Sequence, residues 1–406
     1  MSYSVLDLFA GCGGFSNGFI KKNFTIKGAI EVDKDIALTY RKNHSDTKLF
    51  IGDIRKLNIE DVRNELGDID VIIGGPPCQG FSVAGKRDVN DQRNTLPLEF
   101  IKYVDYFKPK IFVMENVKGL ISMDKGRVLK HFIERFEAIG YKVKYELLNC
   151  ADYEIPQTRE RIFVVGVRED INIEFSFPSK SKTMITLGEA IGDIEQVGTF
   201  EETNQHNHDM FFPVDRRTYE LLGEGNFLCD LRHGENHVHS WEISLKGECS
   251  QKEMDILNAI SENRRKKKYG NKDGNPLSIE DILELTNHDD IRNEIENLLR
   301  MRYIEKIDGK YDIHDRKINI GLRIFDRDKP VNTITTLSGA NSSYAHYSQP
   351  RNFTVREVAR LQTFDDDFIF YGSIRSQYKQ VGNAVPPKIA EKIAEQVKQL
   401  LDSISL

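Results

Sequence analysis

The fold of this chain is decided by residues 5–15, which read VLDLFAGCGGF. The apolar run 5–9 has the length of a buried strand, and the glycines after it predict a turn and then a helix from about Gly14. Glycines let a backbone approach a nucleoside or amino-acid ligand closely, and the amino end of the helix faces that ligand. The stretch predicts a ligand at the turn, although a tight turn without a ligand has the same pattern.

Further apolar runs alternate with amphipathic stretches along the first half of the chain. They cover residues 26–31, 70–74, 110–115 and 161–166. Strands that alternate with helices at this spacing form βαβ units, so we predict an α/β fold with a Rossmann-like, mostly parallel sheet covered on both faces. Ligands bind beyond the carboxyl ends of such strands. The last segment, from about Pro387, predicts an amphipathic helix.

Composition and charge narrow the classes of protein. The 406 residues include 57 basic and 63 acidic side chains, which gives a formal charge of −6 and argues against coating nucleic acid through bulk charge, while allowing a local basic cleft. No run approaches the roughly 20 apolar residues of a membrane helix, and residues 1–7 lack the basic start of a secretory signal. The five cysteines form no C-x-x-C pair, so we expect a cytoplasmic protein without a disulfide framework or a bound metal.

The pattern of the chain changes near residue 180. We predict a first domain over 1–180, completed by the C-terminal segment 365–406, and a smaller, irregular second domain over 185–360. Within the second domain, residues 250–312 contain three helical stretches and a hairpin with an Asp-Gly turn. Three helices followed by a hairpin predict a winged-helix insertion.

Two acidic residues follow strands beside the glycine turn. Glu31 ends the second predicted strand, at the position where ribose hydroxyls are usually bound, and Asp53 follows the third strand, within reach of an adenine amino group. These two acids favour ligand binding over an empty turn.

A single cysteine stands in an unusual context, in GGPPCQGFS at 74–82. Pro76 and Pro77 fix the backbone ahead of Cys78, and glycines leave the following loop free to move. A free cysteine is most often a buried structural thiol, but a Pro-Pro turn at the mouth of a parallel sheet is not a core position. We therefore predict that Cys78 is a nucleophile and that the other four thiols are inert.

Two more polar motifs adjoin strands. Glu115 arrives from an apolar strand, and partial desolvation favours its protonated form, as a general acid requires; a solvated strand-end glutamate is the alternative. Arg159 and Arg161 are two residues apart on extended chain, so both can point into one cleft and hold a base carbonyl or a phosphate, unless they form a solvated charge cluster.

The order of these motifs resembles the cytosine-C5 DNA methyltransferases of bacterial restriction-modification systems. The motifs are F-x-G-x-G-G, P-P-C-Q, E-N-V, Q-x-R-x-R and, at 382–387, G-N-A-V-P-P. The similarity covers about 4–170 and 320–395, and the stretch 185–320 corresponds to the variable target-recognition region of the family. The resemblance implies methyl transfer from S-adenosylmethionine to C5 of a cytosine flipped out of double-stranded DNA. It also implies a monomer and a cognate restriction endonuclease, with no stable complex between the two.

The resemblance assigns roles to individual residues. Cys78 is similar to the nucleophile that adds to C6, Glu115 to the acid that protonates N3, and Arg161 with Arg159 to the pair that orients the base. Val32 stands where many members carry a tryptophan beside the adenine. The implied cofactor-binding residues are Phe9, Gly11, Gly13, Glu31, Asp53, Ile54, Pro76, Leu96, Asn383 and Ala384, and the implied substrate-binding residues are Gln79, Ser82, Arg93, Asn116 and Gln157.

Two rival functions remain open at this point. A tRNA-methylating branch shares the P-P-C-Q and E-N-V elements, but it typically carries Cys-Phe-Thr in its target region, and that tripeptide does not occur here. A non-catalytic DNA-binding regulator on the same scaffold would have lost the cysteine or the glycines, all of which are present. The recognised DNA sequence cannot be read from the variable region.

Overall fold

The computed structural model describes residues 2–77, 96–194, 219, 224–225, 249–270, 274–301, 303–314, 323–335 and 344–404. The chain forms two compact units. Unit 1 comprises Met1–Phe212, Asp326–Asn341 and Phe353–Leu406, and unit 2 comprises Pro213–Phe325 and Ser342–Asn352. Within the described residues, no helix combines the length and apolar character needed to cross a membrane.

The secondary structure alternates strands and helices along the first half of the chain. The strands are β1 (Ser4–Leu8), β2 (Thr25–Glu31), β3 (Lys48–Ile51), β4 (Val71–Gly74), β5 (Ile111–Val117), β6 (Tyr141–Asn149), β7 (Gln157–Thr158), β8 (Glu160–Arg168), β9 (Ile304–Ile307), β10 (Lys310–Ile313), β11 (Arg323–Ile324), β12 (Val331–Asn332) and β13 (Tyr344–Ala345). The helices are α1 (Gly14–Ile20), α2 (Lys34–Asn43), α3 (Ile59–Leu66), α4 (Leu96–Phe107), α5 (Gly119–Ser122), α6 (Arg127–Ala138), α7 (Leu187–Ile191), α8 (Gln251–Asn263), α9 (Ile279–Thr286), α10 (Arg292–Arg300), α11 (Val355–Leu361), α12 (Ile374–Asn383) and α13 (Pro387–Ile404).

A seven-stranded sheet in the order β3-β2-β1-β4-β5-β8-β6 forms the centre of unit 1. Strands β1 to β5 are parallel, and β8 runs antiparallel to both of its neighbours. The predicted α/β, mostly parallel sheet is confirmed. From β1 the following strands β2 and β3 are added on one side of the sheet, and from β4 the strand β5 is added on the other side. The turns after β1 and β4 therefore diverge and leave a crevice at the carboxyl ends of these two strands.

Both faces of this sheet are covered, because alternate side chains of each strand point to opposite faces. Val5 and Ile73 belong to a core that α1 and α13 cover, whereas Leu6 and Ile72 belong to a core covered by α4 and α6. Helices α1 and α13 touch at Gly18, where a Cβ would lie 2.4 Å from the Cβ of Ala390. The predicted C-terminal amphipathic helix is α13, and its apolar side completes the core of unit 1.

The boundary between the units differs from the predicted second domain, 185–360. The segments that hold α7, β12 and α11 belong to unit 1. The reason is backbone pairing within unit 1. The N–H of Leu187 donates to the carbonyl of Lys329 at 2.9 Å, and β12 pairs in parallel with β7.

Unit 2 contains the helices and the hairpin predicted for 250–312. Helices α8, α9 and α10 precede the β9–β10 hairpin, and together they surround an apolar core of their own. The hairpin turns at Asp308 and Gly309, whose φ angles of 48° and 80° suit the tight turn of a two-residue hairpin. The elements are those predicted, while their identification as a winged helix stays a prediction.

Candidate active site

The glycine turn after β1 has a backbone that few residues adopt. Phe9, Gly11 and Gly13 have φ angles of 59°, 57° and 98°. A bulky residue such as Phe9 at positive φ is strained, and such strain persists where the surrounding structure holds it, often at functional sites. Here the N–H of Ala10 donates to the carbonyl of Ile30 at 3.0 Å, which ties the turn to the end of β2.

Glu31 links the turn after β1 to the turn after β2. Its Oε2 accepts a hydrogen bond from the N–H of Gly11 and its Oε1 accepts one from the N–H of Asp33, both at 2.8 Å. Burial raises the pKa of Glu31, and these backbone donors oppose that rise. Each oxygen keeps a lone pair for a ligand hydroxyl, so the residue can shape the site and also bind a ligand.

Asp53 follows β3 and adjoins the same crevice. The guanidinium of Arg55 donates to its carboxylate, with Nη2 2.6 Å from Oδ2. These hydrogen bonds lower the pKa of Asp53 and keep it ionised, as a hydrogen-bond acceptor for a ligand amino group requires.

A cavity of about 470 Å³ lies at the carboxyl edge of the sheet. This volume falls within the range of small-molecule sites, about 300–1,000 Å³. Nine of the ten predicted cofactor residues line it: Phe9, Gly11, Glu31, Asp53, Ile54, Pro76, Leu96, Asn383 and Ala384. The same wall contains Glu115, Asn116, Arg159 and Arg161 from the predicted catalytic and substrate sets.

Gly13 is the exception. It is absent from the cavity wall formed by the described residues. A Cβ on Gly13 would lie 2.3 Å from Nε2 of the buried His44, and its φ angle of +98° also disfavours a side chain. Packing against His44 and backbone conformation therefore require a glycine here, and the role of Gly13 in cofactor binding stays a prediction.

Glu115 and Arg161 form an ion pair on the cavity wall. Nε of Arg161 lies 2.9 Å from Oε1 of Glu115, and both side chains are largely buried. A Cβ on Gly75 would lie 3.1 Å from Oε2 of Glu115, and Nδ2 of Asn116 donates to the carbonyl of Pro76 at 3.0 Å. The end of β5 is thereby fixed against the Gly-Pro-Pro turn, and Cys78 is the next residue along the chain.

Arg159 lines the cavity, but its donors are directed to the backbone. Its Nη1 donates to the carbonyls of Ile334 and Gly382, and its Nη2 to those of Gly382 and Ala384, at 2.8 to 3.3 Å. Burial, reinforced by the charge of Arg161, lowers the pKa of Arg159 to about 9. The carbonyls at the C-terminus of α12 compensate this buried cation. Its proposed role in orienting the base stays a prediction.

Gln157 is corrected as a substrate contact. The side chain is fully buried and is not part of the cavity wall that the described residues form. Its Nε2 donates to Oε1 of Gln362 at 2.6 Å, and its Oε1 accepts from the N–H of Ile334 at 2.7 Å. Both ends of the amide are therefore occupied inside the protein.

Four predicted site residues lie outside the described residues. They are Cys78, Gln79, Ser82 and Arg93. Their roles stay predictions from the sequence.

Asp7 is a site residue that the sequence analysis missed. It lies on the cavity wall within β1 and is 1% exposed. Its Oδ2 accepts a hydrogen bond from Oγ of Ser16 at 2.6 Å, and that hydroxyl also pairs with the phenol of Tyr40 at 2.8 Å. Among the described residues, its Oδ1 has no hydrogen-bond partner. The sequence signal that could have identified Asp7 is a single carboxylate within the otherwise apolar run 5–9.

This chain is similar to known proteins in sequence and in structure. A family model described as C-5 cytosine-specific DNA methylase matches residues 3–399. The Type II methyltransferase M.BanI of Aneurinibacillus aneurinilyticus is 34% identical over 98% of this chain and 96% of its own length. The Type II methyltransferase M.DdeI of Desulfomicrobium norvegicum is 34% identical over 99% of this chain and 90% of its own. A solved structure of a prophage-encoded E. coli protein, described as a DNA modification methyltransferase, aligns with a TM-score of 0.62 at 24% identity, over 99% of this chain and 100% of that one.

The fold and the cavity define an α/β enzyme with its site at the switch point of a mostly parallel sheet. This chain belongs to the C-5 cytosine-specific DNA methylase family. The predicted family and the predicted activity, DNA cytosine-C5 methylation, are confirmed, and the tRNA and non-catalytic alternatives are not favoured.

Asp7 gives a prediction about stability and pH. Burial raises the pKa of Asp7 from 3.8 to about 7, so between pH 4 and 7 the unfolded chain ionises while the folded chain keeps its proton. The free energy of unfolding therefore falls as pH rises through this window. Relative to wild type, Asp7→Asn should gain about 2–4 kcal/mol between pH 4.5 and pH 8, measured by urea denaturation. An Asp7→Asn variant whose difference from wild type is the same at pH 4.5 and pH 8 would contradict the argument.

Proposed function

We propose that this protein transfers a methyl group from S-adenosylmethionine to C5 of a cytosine within a specific duplex DNA site, as part of a restriction-modification system. The observation that carries the proposal is one cavity lined by both residue sets, the glycine turn with Glu31 and the Glu115–Arg161 pair. A methyl donor and a cytosine must meet at one point, and a shared cavity allows that. The Type II methyltransferases among the relatives support the restriction-modification role.

The residues of the cavity suit this cofactor. Glu31 would accept hydrogen bonds from the ribose hydroxyls, and Asp53 one from the adenine amino group. The unpartnered Oδ1 of Asp7 suits a ligand that carries positive charge. S-adenosylmethionine would supply the methyl group as an electrophile. Val32, 63% exposed on the same wall, would offer the adenine a smaller apolar surface than a tryptophan.

Cys78 and Glu115 perform complementary steps in the proposed chemistry. C5 of cytosine is a weak nucleophile because the ring is aromatic. Addition of the Cys78 thiolate to C6 would break that aromaticity and move electron density to C5, the carbon that would receive the methyl group as the donor sulfur leaves as a neutral thioether. Proton donation from Glu115 to N3 would neutralise the charge that develops during the addition. Removal of the C5 proton by a base, with return of the N3 proton to Glu115, would then restore the C5–C6 double bond and expel the thiolate.

The base must leave the duplex for this attack, because its ring faces are covered in the stack. Arg161 holds Glu115 through one carboxylate oxygen, which leaves the other directed toward Gly75 at the start of the Cys78 turn. An orientation of Glu115 that is fixed before the base arrives would place the proposed proton donor without further rearrangement.

The proposed activity is tested by bisulfite sequencing of a plasmid expressed together with this protein. Protection of one cytosine within a recurring short sequence is the expected result. Purified protein should also transfer tritium from labelled S-adenosylmethionine to DNA and not to tRNA assayed in parallel. Label in tRNA alone would establish the RNA alternative, and no label in either would remove methyl transfer.

The nucleophile is tested with Cys78→Ser. This variant should lose turnover, because a hydroxyl at neutral pH cannot add to C6. Its affinity for DNA should stay within about two-fold of wild type. Wild type should form a covalent adduct with DNA that contains 5-fluorocytosine, and peptide mapping should place the adduct on Cys78. Cys249→Ser, which changes a thiol in unit 2, is the matched control. It should keep both the turnover and the formation of the covalent adduct. An adduct on another residue would overturn the assignment.

The proton donor is tested with Glu115→Gln. The amide keeps the shape of the side chain but cannot deliver a proton to N3, so single-turnover methylation should slow by about 10²–10⁴-fold. Glu160→Gln offers a matched change, because Glu160 pairs with Lys118 at 2.8 Å on the exposed surface. If both variants react at the wild-type rate, Glu115 has no part in the chemistry.

A further inference from the structure

One turn of the backbone, 381–384, delivers three residues to the cavity. It consists of the last residues of α12 and the C-cap residue Ala384, and Gly382, Asn383 and Ala384 form part of the wall where the cofactor is proposed to bind. On its other side the turn packs against the start of α1: a Cβ on Gly14 would lie 2.3 Å from the carbonyl oxygen of Val385. A small displacement of this turn would therefore change the shape of the cavity.

Gln362 holds this turn from within the protein. It lies directly after α11, is fully buried, and is not part of the cavity wall that the described residues form. Its Nε2 donates to the carbonyls of Val381 and Ala384, both at 3.0 Å. The carbonyl of Val381 also accepts from the N–H of Ala384 at 3.2 Å, and the carbonyl of Ala384 also accepts from Nη2 of Arg159 at 3.3 Å. Gln362 therefore adds a second donor to each of these two buried acceptors and joins them through one side chain.

The orientation of Gln362 is itself fixed by a second amide. Its Oε1 accepts from Nε2 of Gln157 at 2.6 Å, and Oε1 of Gln157 accepts from the N–H of Ile334. Arg159 adds hydrogen bonds to the carbonyls of Gly382 and Ala384. Gln362 and Arg159, from two distant parts of the chain, thus contact this turn directly, and Gln157 supports it through Gln362.

We propose that Gln362 is a positioning residue for the cofactor, and that Gln157 acts through it. This inference rests on the proposed function, because it requires that the cavity binds S-adenosylmethionine. The side-chain hydrogen bonds of Gln362 to the described residues lead to Gln157 and the turn, and not to Glu115 or Arg161. Its loss should weaken cofactor binding and leave the chemical step and DNA binding unchanged.

The test is Gln362→Met, which keeps the length of the side chain and removes its donors and acceptor. Calorimetry with S-adenosylhomocysteine should show a Kd raised by about ten-fold, because the turn that lines the cavity would no longer be held in its binding position before the ligand arrives. At saturating cofactor, kcat and the KM for DNA should stay within about two-fold of wild type. A residue that served stability alone would not separate these parameters.

Gln377→Met is the matched control. Gln377 is equally a buried glutamine of unit 1, but its amide donates to the carbonyl of Gly372, which precedes α12 at the end opposite to 381–384. It should lower the melting temperature to a similar extent without changing the Kd. If both variants raise the Kd equally, the effect is one of general stability and the proposal fails.

Gln157→Met keeps the proposal testable if Gln362→Met does not fold. It removes the support of Gln362 without touching the turn, and it should raise the Kd by about three-fold. In the double variant the two losses should not add, because the amides act as one unit. Wild type that fails to bind S-adenosylhomocysteine would contradict the proposed cofactor, whereas normal binding by wild type and both single variants would contradict the positioning role alone.

Discussion

The parallel pairing of β1 with β4 is the constraint on which the site depends. Leu8 lies opposite Gly74 in this pair, and a Cβ on Gly74 would meet the carbonyl oxygen of Leu8 at 2.4 Å. The two strands can therefore end side by side only because residue 74 has no side chain. Since the chain leaves this pair in opposite directions, the glycine turn and the Gly-Pro-Pro turn both border one crevice.

The crevice contains charges that a stable core would avoid. Asp7 has a buried oxygen without a partner among the described residues, and Arg159 is a buried cation compensated by backbone carbonyls rather than by a carboxylate. Desolvating such groups reduces stability, and a neutral side chain of the same size would relieve it. A cationic ligand would complete the set of partners for Asp7, so binding of such a ligand would stabilise the folded protein.

The strands, the turns and most cavity residues could be predicted from the sequence because they depend on local patterns. Glu31 and Asp53 follow strands, and a parallel sheet brings strand ends together without further information. Gly13 and Gln157 could not be assigned in this way. The neighbour of Gly13 is His44 on α2, and the partner of Gln157 is 205 positions further along the chain, so no local pattern distinguishes a ligand contact from a packing contact.

The two arginines of the Q-x-R-x-R motif show why the spacing of that motif matters. Residues two apart on extended chain share a face, and here both side chains line one cavity. Arg161 pairs with Glu115 on the side of the proposed base, whereas Arg159 binds the turn on the side of the proposed cofactor. The short segment 159–161 therefore links Glu115, the proposed proton donor, to the wall of the proposed cofactor site.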